Sequence, residues 1–136
     1  MSIENINIKP FFRVSQSKQF NTNVGNDNGM NGKFNFNHVI DEYVESGISG
    51  LSTSGATIGE YTISNTGLWS ISVGFQYPSY EQTTKHIHFA IVLNRNNVHT
   101  EVCISGINLC SSEYRCVVLK LQKYDKIYIR SRTAEQ

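Results

Sequence analysis

Charged side chains are scarce in this sequence: they make up 17% of its 136 residues, against roughly 25% in an average soluble domain. The 12 Lys and Arg residues nearly balance the 11 Asp and Glu residues, which leaves a formal net charge of +1. Such a chain has no general electrostatic attraction for polyanions, so nucleic acid is not an expected partner. A surface with few charges favours burial in an assembly.

Long apolar runs are absent as well. No segment approaches the ~20 apolar residues that a membrane-spanning helix needs, so membrane insertion is not expected. The first nine residues lack the apolar core of a secretory signal peptide. We therefore expect the protein to be made in a cytoplasm, with a secreted protein whose leader is missing from this sequence as the alternative.

Cysteine is limited to Cys103, Cys110 and Cys116, and an odd number excludes a complete set of intramolecular disulfides. Cys116 lies in a run of apolar residues, which predicts a buried free thiol. Cys103 and Cys110 flank a six-residue segment and could meet across a hairpin, and the sequence leaves a bridge between them open. Their spacing does not match the Cys-x-x-Cys pattern of zinc sites.

Alternation of large and small residues is the strongest pattern present, whereas no segment has the 3.6-residue period of an amphipathic helix. In residues 59–77 two alternating runs are separated by a turn signal, Asn65-Thr66-Gly67, which predicts two strands joined as a hairpin. The second run places its large residues on one face, which should fill the interior, and its small residues on the other. The large residues are Trp69, Ile71, Val73 and Phe75, and the small ones are Ser70, Ser72 and Gly74.

Further short strands are predicted along the rest of the chain, at residues 10–15, 34–40, 85–93, 98–104, 113–121 and 126–130. Many short strands without helices indicate an all-β domain, an antiparallel jelly-roll β-sandwich of about ten strands. We assign residues 10–131 to this domain, residues 1–9 to an N-terminal arm and residues 132–136 to a polar tail. The arm has three apolar residues that could dock on a partner, Ile3, Ile6 and Ile8.

Two of the predicted strands, at residues 85–93 and 113–121, are apolar on both faces. A strand of that kind needs cover on both sides, and a sandwich this small covers only one of them. We therefore predict a homo-oligomer in which another subunit covers the second face. The expected interface residues are Ala90, Val92, Cys116, Val118 and Tyr128.

Four segments, in order, resemble passages of the globular-head domain of complement C1q and the related tumour necrosis factor jelly rolls. They are FFRV at 11–14, GEYTISNTGLWSISV at 59–73, FAIVLNRN at 89–96 and CVVLKLQKYDKIYI at 116–129. The resemblance implies a ten-stranded jelly roll and a threefold trimer built around the inner sheet. One departure is Tyr124, which stands where the family has Gly before the turn residue Asp125.

His86 and His88 are the best candidates for a metal site, because two imidazoles on one face of a strand occur in metal-binding cupin jelly rolls. Such sites also use a carboxylate a few residues further on, and none follows here. His99 on the next predicted strand could complete a three-imidazole site; otherwise these are polar edge or interface histidines that could make association sensitive to pH. We expect no catalytic residues and no cofactor, since neither a nucleophile elbow nor a phosphate-binding glycine loop is present.

Together these features favour a non-enzymatic homotrimer with a structural or binding role. The leading hypothesis is a surface, decoration, fibre-head or receptor-binding protein of a virus or phage, made in the host cytoplasm and located in the virion. Its expected partners are other copies of itself, another structural protein or a cell-surface receptor. The alternatives are a secreted, extracellular ligand of the complement-head or cytokine type, and a metal-dependent jelly-roll enzyme.

Overall fold

Eight strands make up most of the computed structural model, which describes residues 9–15, 33–34, 36–76, 85–104 and 112–135. The described part is all-β, as the alternation predicts, and its helical structure is limited to a 3-10 turn at Gly55–Thr57. No helix in those ranges has the length and apolar character to span a bilayer. The strands are β1 (Phe11–Ser15), β2 (His38–Tyr43), β3 (Tyr61–Thr62), β4 (Gly67–Gln76), β5 (Lys85–Arg95), β6 (Val98–Ile104), β7 (Ser112–Leu121) and β8 (Lys126–Glu135).

The strands pair antiparallel in three sheets. One is four-stranded in the order β3-β8-β5-β6, and the others are the pairs β1-β2 and β4-β7. Both pairs contribute side chains to the core that the four-stranded sheet lines, and we call the two pairs together the second layer. The predicted hairpin in residues 59–77 is wrong, because β3 pairs with β8 and β4 pairs with β7. A turn signal shows where the chain changes direction but not whether the next strand stays in the same sheet.

Side chains from both layers meet in one hydrophobic core. β4 contributes Ile71 and Val73, and β5 contributes Phe89 from the opposite layer. The burial of Ile71 and Val73 beside exposed Ser70 and Ser72 confirms the predicted alternation of β4. The other fully buried members of this core are Phe34, Leu51, Tyr61, Ile63, Ile91, Leu121, Ile127 and Ile129.

One buried residue, Asp125, joins three chain connections at one end of the sandwich through its carboxylate and its backbone carbonyl. Arg95, the last residue of β5, donates from Nε to Oδ1 at 3.0 Å and from Nη2 to Oδ2 at 2.7 Å. The backbone N–H of Gln122 donates to Oδ2 at 2.8 Å, and that of Ile63 donates to the Asp125 carbonyl at 2.8 Å. The adjacent Tyr124 has φ of 78°, a left-handed conformation that favours Gly.

β8 extends to Glu135, past the end of the domain expected from the sequence. β5 pairs with it over its length, from Asn94 opposite Lys126 to Lys85 opposite Glu135. Backbone hydrogen bonds between strands do not require apolar side chains, so the polar segment expected to form a tail continues the sheet.

Candidate contact surfaces

The second face of the four-stranded sheet is covered by polar side chains of the same chain. In the sheet register, Val92 lies between Tyr128 of β8 and Glu101 of β6. Arg130 of β8 reaches over β5 to Glu101, with Nη2 2.7 Å from Oε2. The hydroxyl of Tyr128 likewise reaches over β5 and lies 2.8 Å from Nδ1 of His99. We call Glu101, Arg130, His99 and Tyr128 the polar roof.

The polar roof explains why small residues occupy the middle of β5. Ala90 and Val92 lie beneath it and are 0% exposed. Burial also raises the pKa of Tyr128 above its ordinary value. On the β3 side, the ammonium of Lys33 lies 5.1 Å from the centroid of the Tyr128 ring and forms an ion pair with Glu60, which closes that edge.

Three of the predicted interface residues, Ala90, Val92 and Tyr128, are covered by side chains of their own chain. Their place in an interface between subunits stays a prediction. The sequence shows that both faces of β5 are apolar, but it does not show that long side chains on β6 and β8 extend across a strand of short ones. A second subunit is not needed to explain the burial of this face.

The outward face of β4 and β7 leaves apolar side chains in solvent. Leu68 is 74% exposed, Val118 is 64% exposed and Tyr114 is 63% exposed. The register places small residues opposite two of them, with Ser70 facing Val118 and Gly74 facing Tyr114. We call this surface the contact face. Its members are Leu68, Ser70, Ser72, Gly74, Tyr114, Cys116, Val118 and Lys120.

The contact face is nearly uncharged, since Lys120 is its only ionised member at neutral pH. Ser70, Ser72 and Gly74 of β4 lie opposite Val118, Cys116 and Tyr114 of β7, and Leu68 lies opposite Lys120 at one end of the face. Other exposed apolar residues, such as Ile48 and Val98, lie singly on loops and strand ends. Clustered apolar side chains with few charges are typical of a protein–protein contact.

Cys116 lies on the contact face and is exposed, so the prediction of a buried thiol is wrong. β7 directs Val117 and Leu119 towards the core, and Cys116 therefore points outward. Its sulfur lies 3.3 Å from the Ser70 hydroxyl, and hydrogen bonds from Ser70 and then from Ser72 hold the pKa of the Cys116 thiol below its usual value. Cys103 is a free thiol, and Cys110 lies outside the described residues.

The three histidines considered as metal ligands are not brought together. Backbone pairing places His99 opposite Asn94, and the strand segment 88–94 separates that position from His88. At about 3.4 Å per residue this is a distance of roughly 20 Å, so the three-imidazole site is wrong within one chain. The side chains of His86 and His88 lie outside the described part, and within that part no three His, Cys, Asp or Glu side chains are grouped to hold a metal.

The predicted docking arm, with Ile3, Ile6 and Ile8, also lies outside the described residues, which begin at Lys9. Its point of attachment is nevertheless known. Lys9 and Pro10 line a groove between β1 and β4, so the arm joins the fold at that groove.

Sequence reasoning missed Leu68 and Tyr114 as members of the contact face. The alternation of side chains along a strand could have identified both. Leu68 lies on the same face of β4 as Ser70, and Tyr114 lies on the same face of β7 as Cys116. The ion pair that forms part of the polar roof had no such signal. Its two residues lie in strands whose separation by β5 becomes known only from the pairing.

Comparison with known proteins does not assign this chain to a family. A scan against protein-family models found no family that matches it, and a search of the curated proteins found no similar sequence. What the protein does is therefore inferred from its own fold and surfaces.

Proposed function

We propose that this protein is a non-enzymatic, homotrimeric jelly-roll module with a structural or binding role on the surface of a viral or phage particle. The contact face is the observation that carries the proposal. It is an apolar and nearly uncharged surface on the outside of a folded unit, where water is its neighbour in a single copy. The opposite face of the sandwich bears the polar roof and suits contact with solvent.

Strand order supports the jelly-roll part of the proposal. The chain passes from β3 to β4 and back to β5, and again from β6 to β7 and back to β8, changing layers each time. Jelly rolls are built from Greek keys that produce crossings of this kind. The left-handed backbone of Tyr124 supports the C1q and tumour necrosis factor resemblance at the position where that family has Gly.

Burial of apolar side chains supplies the driving force for association. Moving a side chain such as Leu68 or Val118 from solvent into an interface contributes about 1.5–3 kcal/mol. The loss of translational and rotational freedom on association costs about 4–15 kcal/mol. A closed trimer buries the contact face of all three copies. The free-energy gain from these side chains is therefore counted once for each copy, and the total becomes comparable to the entropic cost of association.

A place on a particle accords with the small number of charges and with the apolar residues of the arm. The partners that we propose are other copies of this chain, a structural protein of the particle and a receptor on the host cell. The contact face would serve the first of these, and the arm and the loops would serve the others or connect the copies.

Light scattering of the purified protein at micromolar concentration tests the assembly. We expect three times the 15.4 kDa mass of one chain. Val118→Asp places a carboxylate in the buried contact of every copy and should give a monomer. Ile48→Asp is the matched control, because Ile48 is 76% exposed on a loop. A monomeric wild-type protein, or an equal effect of the two substitutions, would contradict the proposal.

The particle role has its own test. Mass spectrometry of purified particles from the source, together with the identity of the neighbouring genes, should find this protein in the particle and its gene beside capsid or tail genes. A trimer encoded among unrelated genes and missing from purified particles would refute the particle role and leave the assembly standing.

A further inference from the structure

Positive charge is concentrated at one turn of the sandwich, although the charges of the whole chain nearly cancel. The connection from β7 to β8 carries Lys120, Lys123 and Lys126, and its acidic residue is Asp125. Asp125 is buried and its carboxylate is neutralised by an arginine within the fold, whereas Lys120 and Lys123 are exposed and Lys126 is half-buried. The turn therefore presents ammonium groups at the surface. We call residues 120–126 the lysine turn.

The lysine turn is fixed to the connection between β3 and β4. The backbone N–H of Lys123 donates to Oγ1 of Thr66 at 3.0 Å, and that of Tyr124 donates to the carbonyl of Ile63 at 2.9 Å. The N–H of Ile63 in turn donates to the carbonyl of Asp125 at 2.8 Å. A surface that is already held in one conformation loses little entropy when it binds a ligand.

Tyr124 at the centre of the lysine turn is both strained and exposed. Its φ of 78° is in the left-handed region, where a side chain is disfavoured and Gly is preferred. Its side chain is 72% exposed, so the ring contributes little burial to the fold in return. The ammonium of Lys123 lies 5.2 Å from the centroid of this ring, and the two groups form one surface. A strained position that the fold itself does not need indicates a role in binding.

The surroundings of the Tyr124 ring are polar. Gln122 in the lysine turn and Thr66 beside it are exposed, and so are Asn96 and Asn97, which follow the arginine that binds the turn. Their amides and hydroxyl supply hydrogen-bond donors and acceptors. Ammonium groups, amides and one flat ring suit a ligand that carries anions, hydroxyls and ring faces. A lipid surface instead favours several apolar side chains together.

We propose that the lysine turn binds an acidic polysaccharide, with anionic groups at Lys123 and Lys126 and the face of a sugar ring against Tyr124. Lysine places a compact charge on a flexible stem, so its ammonium can follow anions that are spaced along a polymer. This inference rests on the proposed function for its setting, a receptor on the host cell, and it names the chemistry of that receptor. In a trimer, cyclic symmetry places three lysine turns at one level along the axis, and one polymer could bind more than one of them.

Binding to two polysaccharides tests the charge requirement. The probes are heparin, which is sulfated, and hyaluronan, whose anions are carboxylates alone, each measured at several salt concentrations. We expect the wild-type protein to bind at least one of them. Lys123→Gln with Lys126→Gln should raise the dissociation constant at least ~10-fold and lower the slope of log K against log salt by about 1–2, because fewer counterions are released. Lys120 is left unchanged because it belongs to the contact face.

Lys85→Gln with Arg132→Gln is the matched control, because it removes the same charge. Backbone pairing places position 85 opposite Glu135 and position 132 opposite His88, whereas Lys126 lies opposite Asn94. At about 3.4 Å per residue the control positions are roughly 20–30 Å along the sheet from Lys126. The control should change the dissociation constant less than ~3-fold. An equal effect of the two pairs, or a wild-type protein that binds neither polysaccharide, would overturn the proposal.

Substitutions of Tyr124 test the contact with the sugar ring. Tyr124→Gly suits the backbone conformation and removes the ring, so it should keep the fold by circular dichroism and weaken binding at least ~5-fold. Its salt dependence should equal that of the wild type, and Tyr124→Phe should bind within ~2-fold of the wild type. Undiminished binding by Tyr124→Gly would show that the ring does not contact the ligand and would overturn the proposal as stated.

Other anions test the choice of ligand class. A single-stranded DNA oligonucleotide and vesicles that contain phosphatidylserine should each bind at least ~10-fold more weakly than the better polysaccharide at the same salt concentration. Equal or tighter binding of either would overturn the assignment to a polysaccharide.

The proposed assembly and the polysaccharide site can fail separately. If light scattering finds a monomer that still binds polysaccharide through Lys123 and Lys126, the trimer is wrong and the polysaccharide site stands. If a trimer forms and neither polysaccharide binds, the assembly stands and the polysaccharide site is wrong.

Discussion

Asp125 allows a quantitative test of how one end of the sandwich is held together. Its side chain is 3% exposed, and its carboxylate accepts hydrogen bonds from Arg95 and from the backbone N–H of Gln122. Asp125→Asn removes the charge and replaces one acceptor oxygen with a donor. We expect the free energy of unfolding to fall by about 2 kcal/mol, the usual cost of losing a hydrogen bond to a charged group. This is a large part of the 5–15 kcal/mol that is typical of a domain.

Urea denaturation followed by circular dichroism measures this loss, and Asp41→Asn is the matched control. Asp41 is exposed, so its substitution should change the unfolding free energy by less than ~0.5 kcal/mol.

The pH dependence provides the refuting result. The Arg95 guanidinium holds the pKa of Asp125 below its ordinary value. The contribution of Asp125 is therefore present above pH ~4 and is lost as the pH falls through the lower pKa of the folded state. The stability difference between wild type and Asp125→Asn should shrink as the pH falls from 6 to about 2. A difference that does not change with pH, or one equal to that of Asp41→Asn, would refute the reasoning.

Two further predictions concern buried groups. Burial, and then the hydrogen bond to Glu42, raise the pKa of Tyr61, so its contribution to stability is complete below pH ~10 and is lost as the pH rises above it. Tyr61→Phe should cost about 1 kcal/mol at pH 7 and weaken the alkaline loss of stability, as measured by urea denaturation at pH 7 to 11; an unchanged alkaline profile would contradict this. Ala90→Leu should destabilise the fold by about 1–3 kcal/mol because the polar roof leaves no room beneath it, whereas Ala56→Leu on the exposed 3-10 turn should be nearly neutral in the same assay. Equal stability of the two variants would show that the polar roof can move to accommodate a larger side chain at position 90.

Local patterns in the sequence predicted the strands and the faces of β4 well. The alternation of Ile71 and Val73 with Ser70 and Ser72 depends on one strand alone, since successive side chains point to opposite faces. The same period also distinguishes the two faces of β7. The prediction that Cys116 is buried was wrong because it assumed that every apolar residue of β7 is covered, including those on the outward face.

Features that depend on pairing between distant strands could not be predicted in this way. The polar roof needs Arg130 and Glu101 on either side of β5, and the sheet order is not contained in any one strand. The separation of His99 from His88 follows from the register of β5 and β6, which the sequence does not specify. The wrong hairpin in residues 59–77 has the same origin, because β3 and β4 find their partners near the other end of the chain.

The polar roof gives each copy one face that is suited to contact with solvent before any association takes place. Its ion pair and its imidazole–phenol hydrogen bond can be hydrated where they meet water, whereas Leu68 and Val118 on the contact face expose only apolar atoms. If copies associate through the contact face as we propose, the sheet that bears the roof would face outward. The solvent-facing atoms of the polar roof could then change by substitution without disturbing the hydrophobic core. Ala90 and Val92 lie directly beneath the roof, and the backbone of β5 separates the roof from the core.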